Sequence, residues 1–349
     1  MLEQIIARIQ DLDQTALAAA TARQNTLTKP PGSLGRLEEL SIQLAGISGT
    51  PIPSIKDKVI ITMAGDHGIV AEGVSAYPQE VTPQMVLNFL YGGAAINALA
   101  QHVGARIVVV DMGIAADMEP HPSLVIKKIA HGTANMTQGP AMTRQQAERA
   151  LTAGIEIVTA EIEKGLDIVG TGDMGIGNTT PSAAIAAVLT GESPAKIAGR
   201  GTGVDDEDLK RKIDAIERSI AVNQPNPKDD LDVLAKVGGF EIAGLAGVML
   251  GAAAHGKAVM VDGFISTAAA MIAVVLAPKV KPYLIAAHRS QEYGHGLMLE
   301  WLGLNPLLDF DLRLGEGTGA ALGISIAEAA CKVLAEMATF AEAGVSDKE

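Results

Sequence analysis

Six short apolar segments recur along the chain, and each runs into a cluster of glycine or polar residues. They are predicted as strands at residues 59–64, 106–110, 166–169, 258–261, 283–286 and 308–314, and helical patterns separate most of them. Continuous apolar strands that alternate with helices are typical of a mostly parallel sheet covered on both faces. The sequence therefore predicts an α/β fold with a six-stranded sheet, and ligands are expected beyond the carboxyl ends of its strands.

Composition and charge argue against several classes of protein. The 349-residue chain carries a formal charge of -13 without a basic cluster, so nucleic acid and anionic membranes are not expected as partners. A single cysteine, Cys331, excludes an internal disulfide framework and a cysteine-based metal site. The apolar segment 242–278 is interrupted by charged residues and is not expected to span a membrane. The first residues show no export signal, so we expect a cytoplasmic protein.

The predicted strand 308–314 leads into three alternate glycines that surround Glu316, and an apolar helix is predicted from Ala320 onwards. Glycines allow a substrate to approach the backbone, and a helix N-terminus offers free N–H groups to an anionic ligand. This setting suits a catalytic base. A glutamate that only complements the helix dipole would show the same pattern, so both interpretations stay open for this motif alone.

A second glycine-rich stretch, residues 170–175, matches the dinucleotide fingerprint after a predicted strand, and Glu192 lies near the distance expected for a ribose-binding acid. It is followed by Asn178, Thr179 and Thr180 at the start of a predicted helix, an arrangement that suits a single phosphate monoester. Capping of that helix by Asn178 or Thr179 is the alternative. No Walker lysine follows, so a phosphate-transferring P-loop is not indicated.

Other polar residues give weaker signals. A glycine run at 199–203 precedes a helix that carries Lys212, which could instead be a solvated surface group. His67 and His288 lack the spacing of a zinc helix, and no calcium loop is present, so no metal site is predicted. Tyr77 could line a pocket for a flat aromatic ligand.

Six motifs in a fixed order resemble those of a known family. They are KPPGSLG at 29–35, AGDHG at 64–68, GIGNTT at 175–180, GRGTG at 199–203, AHRS at 287–290 and LGEGTG at 314–319. Together they make the chain similar, nearly end to end, to the nicotinate-nucleotide:5,6-dimethylbenzimidazole phosphoribosyltransferases. The resemblance implies a doubly wound α/β domain at 28–329 and a small helical domain built from both chain ends, 1–27 and 330–349. It also implies a homodimer that needs no cofactor.

The resemblance implies roles for individual residues. Glu316 matches the catalytic base, and Asp173 and Lys212 match an acid and a lysine near it. The family more often has glutamate where Asp173 stands, and the missing methylene shortens the reach of this side chain. The residues implied to bind phosphate and ribose are Gly175, Gly177, Asn178, Thr179, Thr180, Gly203, Ser290 and Gly315. Those implied to bind the base are Ser75, Tyr77, Gln79 and Leu314.

In the implied reaction, a ring nitrogen of 5,6-dimethylbenzimidazole attacks C1′ of nicotinate mononucleotide, giving α-ribazole 5′-phosphate for the nucleotide loop of cobalamin. Nicotinate leaves with inversion, and its ring nitrogen changes from cationic to neutral, so neither a metal nor a general acid is required. Two other functions stay open. A nicotinamide-dependent oxidoreductase would use residues 170–175 for a pyrophosphate, and a non-catalytic sensor would bind the mononucleotide without releasing nicotinate.

Overall fold

The computed structural model describes residues 1–201, 203 and 205–346, apart from the side chain of Asp230. Within these residues, one six-stranded parallel sheet forms the centre of the molecule. Its strands are β1 (Lys58–Gly65), β2 (Arg106–Gly113), β3 (Leu124–Ile126), β4 (Ile168–Met174), β5 (Ala258–Val261) and β6 (Leu284–Ala286). The strand order β3-β2-β1-β4-β5-β6 reverses between β1 and β4, as in doubly wound α/β folds. The predicted fold class is confirmed.

Helices connect the strands and continue to both chain ends. They are α1 (Leu2–Arg8), α2 (Gln14–Thr26), α3 (Arg36–Ser48), α4 (Val81–Leu90), α5 (Ala95–Val103), α6 (Arg144–Glu163), α7 (Thr179–Thr190), α8 (Pro194–Ile197), α9 (Asp206–Asn223), α10 (Asp230–Val237), α11 (Phe240–Ala254), α12 (Phe264–Leu276), α13 (His295–Leu302), α14 (Thr318–Glu336) and α15 (Phe340–Ala343). Short 3₁₀ helices occupy Gly68–Glu72 and Pro278–Tyr283.

Helices cover both faces of the sheet. Successive residues of a strand point to opposite faces, so their contacts show which helix lies on which face. A Cβ at Gly170 of β4 would face Ile60 of β1 and Ile324 of α14, so α14 lies on the Ile60 face. Gly244 of α11 contacts Met63, which points to the opposite face of β1. Helix α11 is almost entirely buried there, between α6 and α12.

One predicted strand, at residues 308–314, is not a strand. Only Leu308 forms a bridge, with His288, although further backbone bonds run from Arg289 to Leu308 and from Gln291 to Leu312. Asp311 has a φ of 55°, which interrupts an extended backbone. The sixth strand is instead β3 at the opposite edge, which has only three residues and therefore gives too short a pattern to be recognised.

Strand β4 also differs from its prediction, since it begins at Ile168 and continues through Asp173 to Met174. Gly170 and Gly172 are therefore strand residues in close contact with the core, rather than parts of a dinucleotide-binding turn. A Cβ on Gly172 would contact the backbone carbonyl of Glu316. The chain turns only at Gly175, so the dinucleotide interpretation of residues 170–175 is wrong.

The two chain ends pack together. Leu27 pairs with Thr339 in an isolated antiparallel bridge, and the Arg23 guanidinium donates to the carbonyls of Leu334 and Ala335. The division into a small domain, 1–27 plus 330–349, and a large domain, 28–329, stays a prediction. Residues 347–349 of the small domain lie outside the described residues. Helix α14 runs without a break across the boundary at 329.

Helix α14 is long and apolar enough to cross a membrane by length and composition alone. In the fold, 56% of its most apolar window is buried, and it packs against α3, α5 and β4. Both properties are those of a core helix that covers one face of the sheet.

The large glycine content allows α6 and α11 to cross at very short distance. A Cβ on Gly154 would contact the carbonyl of Gly244, and a Cβ on Gly247 would contact the carbonyl of Leu151. Both neighbours are backbone atoms, which cannot move away as a flexible side chain could. The helix pair can keep its separation only while these positions lack a side chain.

We expect Gly247→Ala to lower the free energy of unfolding by about 1 to 3 kcal/mol, because the added methyl group forces the two helices apart. Gly296→Ala is the matched control, since Gly296 also lies in a helix but a Cβ there meets nothing within 4 Å. The control should be neutral or slightly stabilising. Denaturant unfolding of the two variants checks this, and equal stabilities would contradict it.

Candidate functional site

Loops that follow three neighbouring strands, β4, β5 and β6, form a cleft at the carboxyl edge of the sheet, beside the point where the strand order reverses. The space in and at the mouth of the cleft, including the part open to solvent, is about 600 Å³. Its lining includes the predicted site residues Asp173, Gly175, Asn178, Thr179, Ser290, Leu314 and Gly315, together with Gly263, Phe264, His288, Glu292 and Arg313. Distant parts of the chain therefore meet where the sequence predicted a ligand site.

Glu316 lies beside this cleft at an unusual backbone position. Gly315, Glu316 and Gly317 have φ angles of 85°, 62° and 97°, so a left-handed turn precedes α14. A non-glycine residue rarely adopts such an angle, and the surrounding contacts hold it there. The Glu316 carbonyl accepts the hydroxyl hydrogen bond of Thr62 at 2.9 Å, and its backbone N–H donates to the Asp173 carbonyl at 3.2 Å.

The carboxylate of Glu316 is buried and only partly engaged. Oε2 accepts the backbone N–H of Ile96, in the first turn of α5, at 3.1 Å. Among the described residues, Oε1 has no hydrogen-bond partner. Burial raises the pKa of Glu316 above its usual value of 4.5, although the Ile96 bond opposes the shift. The side chain therefore has one anchored oxygen and one oxygen free to accept a proton. It makes no capping bond to its own helix α14, and its bond goes to the first turn of α5 instead.

Asp262, which follows β5, holds the turn in place. Its buried carboxylate accepts the backbone N–H of Gly317 at 3.2 Å and that of Ala320 at 2.9 Å. His288 approaches it, with Nε2 3.9 Å from Oδ1. Burial raises the pKa of Asp262, while His288 and the backbone bonds oppose the shift. No specific role was predicted for Asp262, although its place after a strand was a usable signal.

Asp173 is the third acid of this group. Its Oδ2 accepts the amide N–H of Asn178 at 2.9 Å, whereas Oδ1 is buried without a partner among the described residues. Burial, and then the neighbouring Asp262 carboxylate, raises the pKa of Asp173 well above its usual value of 3.8. Asp173, Asp262 and Glu316 thus form an acidic cluster against one wall of the cleft.

The loop after β4 leads into the N-terminus of α7. Asn178 does not cap α7, because its side chain bonds Asp173, and the Thr179 hydroxyl oxygen accepts a bond from Lys212 Nζ at 2.7 Å. The capping alternative for these two side chains is therefore not supported. The Thr180 hydroxyl is buried without a partner among the described residues, and Gly177 makes the turn with a φ of 85°.

Lys212 is buried rather than solvated. Its ammonium group donates to Thr179 and to the carbonyl of Gly199 at 3.0 Å, and burial lowers its pKa to about 8, opposed by the facing Glu292. This places a cation beside the N-terminus of α7. Both of its hydrogen bonds go to Thr179 and Gly199, and neither reaches Glu316.

The remaining predicted residues, Gly203, Ser75, Tyr77 and Gln79, do not line this cleft. Gly203 lines an adjoining cleft that shares Glu292 and Arg313 with the first, and Thr202 of the same glycine run lies outside the described residues. Ser75, Tyr77 and Gln79 form the turn before α4, with Tyr77 exposed and the Ser75 hydroxyl bonded to its carbonyl. Thr82 of α4 ties this turn to the cleft by accepting the N–H of Ile176 at 3.1 Å.

No group of three or more His, Cys, Asp or Glu side chains in the described residues is arranged to hold a metal ion. His67, one of the histidines considered for that role, instead pairs with Glu241 at 2.7 Å, and both side chains are buried. Burial lowers the pKa of His67, but the facing Glu241 outweighs it and the pKa is raised above 6.5. The pair lies directly behind Gly175 of the cleft.

Comparison with known proteins agrees with this arrangement. A family model described as phosphoribosyltransferase matches residues 9–345, which defines the class of protein to which the chain and its fold belong. A nicotinate-nucleotide–dimethylbenzimidazole phosphoribosyltransferase of Roseiflexus sp. (strain RS-1) is 60% identical over 348 residues, covering 100% of this chain and 99% of that protein. One from Chloroflexus aggregans is 58% identical over 349 residues, with the same coverage.

Solved structures extend the comparison. A crystal structure of the nicotinate-nucleotide–dimethylbenzimidazole phosphoribosyltransferase from Thermus thermophilus superimposes with a TM-score of 0.92 at 47% identity, covering 97% of this chain and 100% of that one. The chain therefore belongs to the nicotinate-nucleotide–dimethylbenzimidazole phosphoribosyltransferase family.

The raised pKa of Asp173 predicts a pH-dependent stability. Because the folded protein favours protonated Asp173, it binds more protons than the unfolded chain above the usual pKa of 3.8, and stability falls as pH rises through the folded pKa. Asp173→Asn removes this effect. We expect its melting temperature, relative to the wild type, to increase from about pH 4 to about pH 8.

Asp309→Asn serves as the control, since Asp309 is an exposed carboxylate outside the cluster. Its melting temperature should follow the wild type at every pH. If the difference in melting temperature between Asp173→Asn and the wild type stays constant with pH, ionisation of the buried carboxyl does not oppose folding, which would contradict the prediction.

Proposed function

We propose that this chain moves the 5-phosphoribosyl group of nicotinate mononucleotide to 5,6-dimethylbenzimidazole and releases nicotinate. The observation that carries the proposal is the buried Glu316 carboxylate, which has one anchored oxygen and one oxygen without a partner among the described residues and which follows Gly315 of the cleft wall. Its raised pKa makes it a stronger proton acceptor than an exposed glutamate, as long as it stays ionised. Membership of the family adds independent support.

The cleft offers groups that suit both ends of the mononucleotide. Lys212 and the N-terminus of α7 provide positive charge and N–H donors beside Thr179, which favour a phosphate. The acidic cluster begins next to this loop, where Asp173 accepts the Asn178 amide, and its ionised carboxylates favour the cationic pyridinium ring and the positive charge that develops on the ribose.

In the proposed reaction, one benzimidazole nitrogen forms a bond to C1′ as the bond from C1′ to the nicotinate nitrogen breaks. The bonding electrons return to the pyridine ring, which leaves neutral. The other benzimidazole nitrogen then carries an acidic N–H, and its proton passes to Oε1 of Glu316 and from there to solvent. Holding two flat rings on opposite faces of the ribose is the second contribution of the site.

Glu316→Gln keeps the shape of the turn but removes the charge and the ability to accept a proton. We expect the turnover number to fall by roughly 10²- to 10⁴-fold, the range for loss of a positioned base, while both substrates still bind. The amide can still accept the Ile96 N–H, so the fold should be retained. Product chromatography beside a thermal melt tests this. Turnover that survives in a destabilised variant would refute the assignment.

We further propose that the chain forms a homodimer in the cytoplasm. Large apolar side chains are exposed on its surface, among them Tyr77, Tyr91, Tyr293, Phe310 and Leu314. The single, buried Cys331 fits a reducing compartment. Light scattering should give about twice the chain mass of 36.0 kDa. A monomer mass at micromolar concentration would contradict the dimer, and cell fractionation tests the location.

A further inference from the structure

His295 begins α13 and is fully buried, yet it has no place in the proposed chemistry. Its Nδ1 accepts the backbone N–H of Ser290 at 2.8 Å. A ring nitrogen that accepts a hydrogen bond cannot carry a proton, so the neutral ring must carry its proton on Nε2. The backbone of Ser290 therefore selects one tautomer of His295.

The Nε2 proton has a defined acceptor. Thr267 Oγ1 of α12 lies 2.9 Å from His295 Nε2, and the same hydroxyl donates to the carbonyl of Gly263 at 2.8 Å. The three bonds therefore run in one direction, from the Ser290 N–H through His295 and Thr267 to the Gly263 carbonyl. The Ser290 N–H can only donate and the Gly263 carbonyl can only accept, so these two ends fix the direction of the bond between His295 and Thr267.

The surroundings keep the ring neutral. Burial lowers the pKa of His295 to about 3, and the nearby charges of His288 and Arg289 act in the same direction. The aromatic ring of Phe264 meets it edge-on, with centroids 6.4 Å apart. The ring therefore stays neutral, and the hydrogen-bond direction stays the same, well above a pH of about 3.

Both ends of this chain of bonds line the cleft. Gly263 follows β5 and Ser290 follows β6, so the two loops belong to neighbouring strands. Among the described residues, His295 and Thr267 connect these loops through side chains, although neither residue lines the cleft itself. Their hydrogen bonds thus join two parts of the cleft wall, and the Gly263 carbonyl also accepts the backbone N–H of Thr267 at 2.9 Å.

We propose that His295 and Thr267 are positioning residues, which hold Gly263 and Ser290 at the separation that the mononucleotide requires. The inference rests on the proposed function for the identity of that ligand. We call the chain of hydrogen bonds from Ser290 through His295 and Thr267 to Gly263 the relay. It acts on binding rather than on proton transfer, because none of its hydrogen bonds involves the carboxylate of Glu316. Its loss should therefore change substrate affinity more than turnover.

Two variants of Thr267 separate hydrogen bonding from packing. Thr267→Val keeps the shape and removes the hydroxyl, whereas Thr267→Ser keeps the hydroxyl and removes a methyl group. We expect Thr267→Val to raise KM for nicotinate mononucleotide about tenfold with kcat changed less than about threefold, and Thr267→Ser to restore KM to within about twofold. If packing were responsible, Thr267→Ser would raise KM more than Thr267→Val, and that result would overturn the proposal.

Ser266→Ala is the matched control. Ser266 is the neighbouring residue of α12, and its hydroxyl is equally buried but has no hydrogen-bond partner among the described residues. Its loss should leave KM and kcat unchanged. A rise in KM equal to that of Thr267→Val would mean that any buried hydroxyl of α12 matters, which would also refute the specific relay.

The tautomer can be measured without catalysis. In ¹H–¹⁵N correlation spectra of the labelled wild-type chain, with His295→Asn for assignment, His295 should show the neutral Nε2–H pattern from about pH 5.5 to about pH 8.5. An Nδ1–H pattern or protonation in this range would overturn the relay. This measurement stands even if Thr267→Val fails to fold.

Calorimetric titration of nicotinate mononucleotide repeats the Thr267 comparison without turnover. A wild-type chain that binds the mononucleotide but releases no nicotinate would refute the proposed function alone. Equal affinities in the wild type and Thr267→Val would refute the positioning role alone.

Discussion

The site depends on one buried carboxylate, that of Asp262. Its two oxygens bind the backbone N–H groups of Gly317 and Ala320, so the chain enters α14 through a left-handed turn that places Glu316 beside the cleft. The absence of a side chain at Gly172 lets the Glu316 carbonyl lie directly on β4. The strand, the turn and the helix can therefore meet only in this arrangement, and a buried hydrogen-bonded acid holds them together.

The same arrangement opposes stability. Three buried acids lie close together, and burial raises the pKa of Asp173, Asp262 and Glu316. Such a cluster weakens folding at neutral pH, since the unfolded chain ionises more readily. The tightly packed sheet and the α6–α11 helix pair supply compensating burial. Raised pKa values bring these acids closer to the pH at which they can exchange protons, a functional gain that accompanies this cost in stability.

Buried side chains hold several residues of the cleft wall in place. Lys212 directs its ammonium group to Thr179, and His295 with Thr267 connects the loops after β5 and β6. Asn178, which itself lines the cleft, directs its amide to Asp173. Because these side chains are buried, their hydrogen bonds have few competitors. A rigid wall of this kind loses little entropy when it binds a ligand.

The sequence by itself determined the α/β class, because strand and helix periodicities are local, and it marked the polar residues that follow each strand. It also singled out Glu316 by its flanking glycines. Only the tertiary structure decided that 308–314 is not a strand, that β4 continues through Asp173, and that Lys212 is buried beside Thr179. It alone placed the carboxylate of Asp262 against the turn before α14 and His295 against the loop after β6. These outcomes depend on contacts between residues separated by tens to hundreds of positions, and no local pattern encodes which of them will meet.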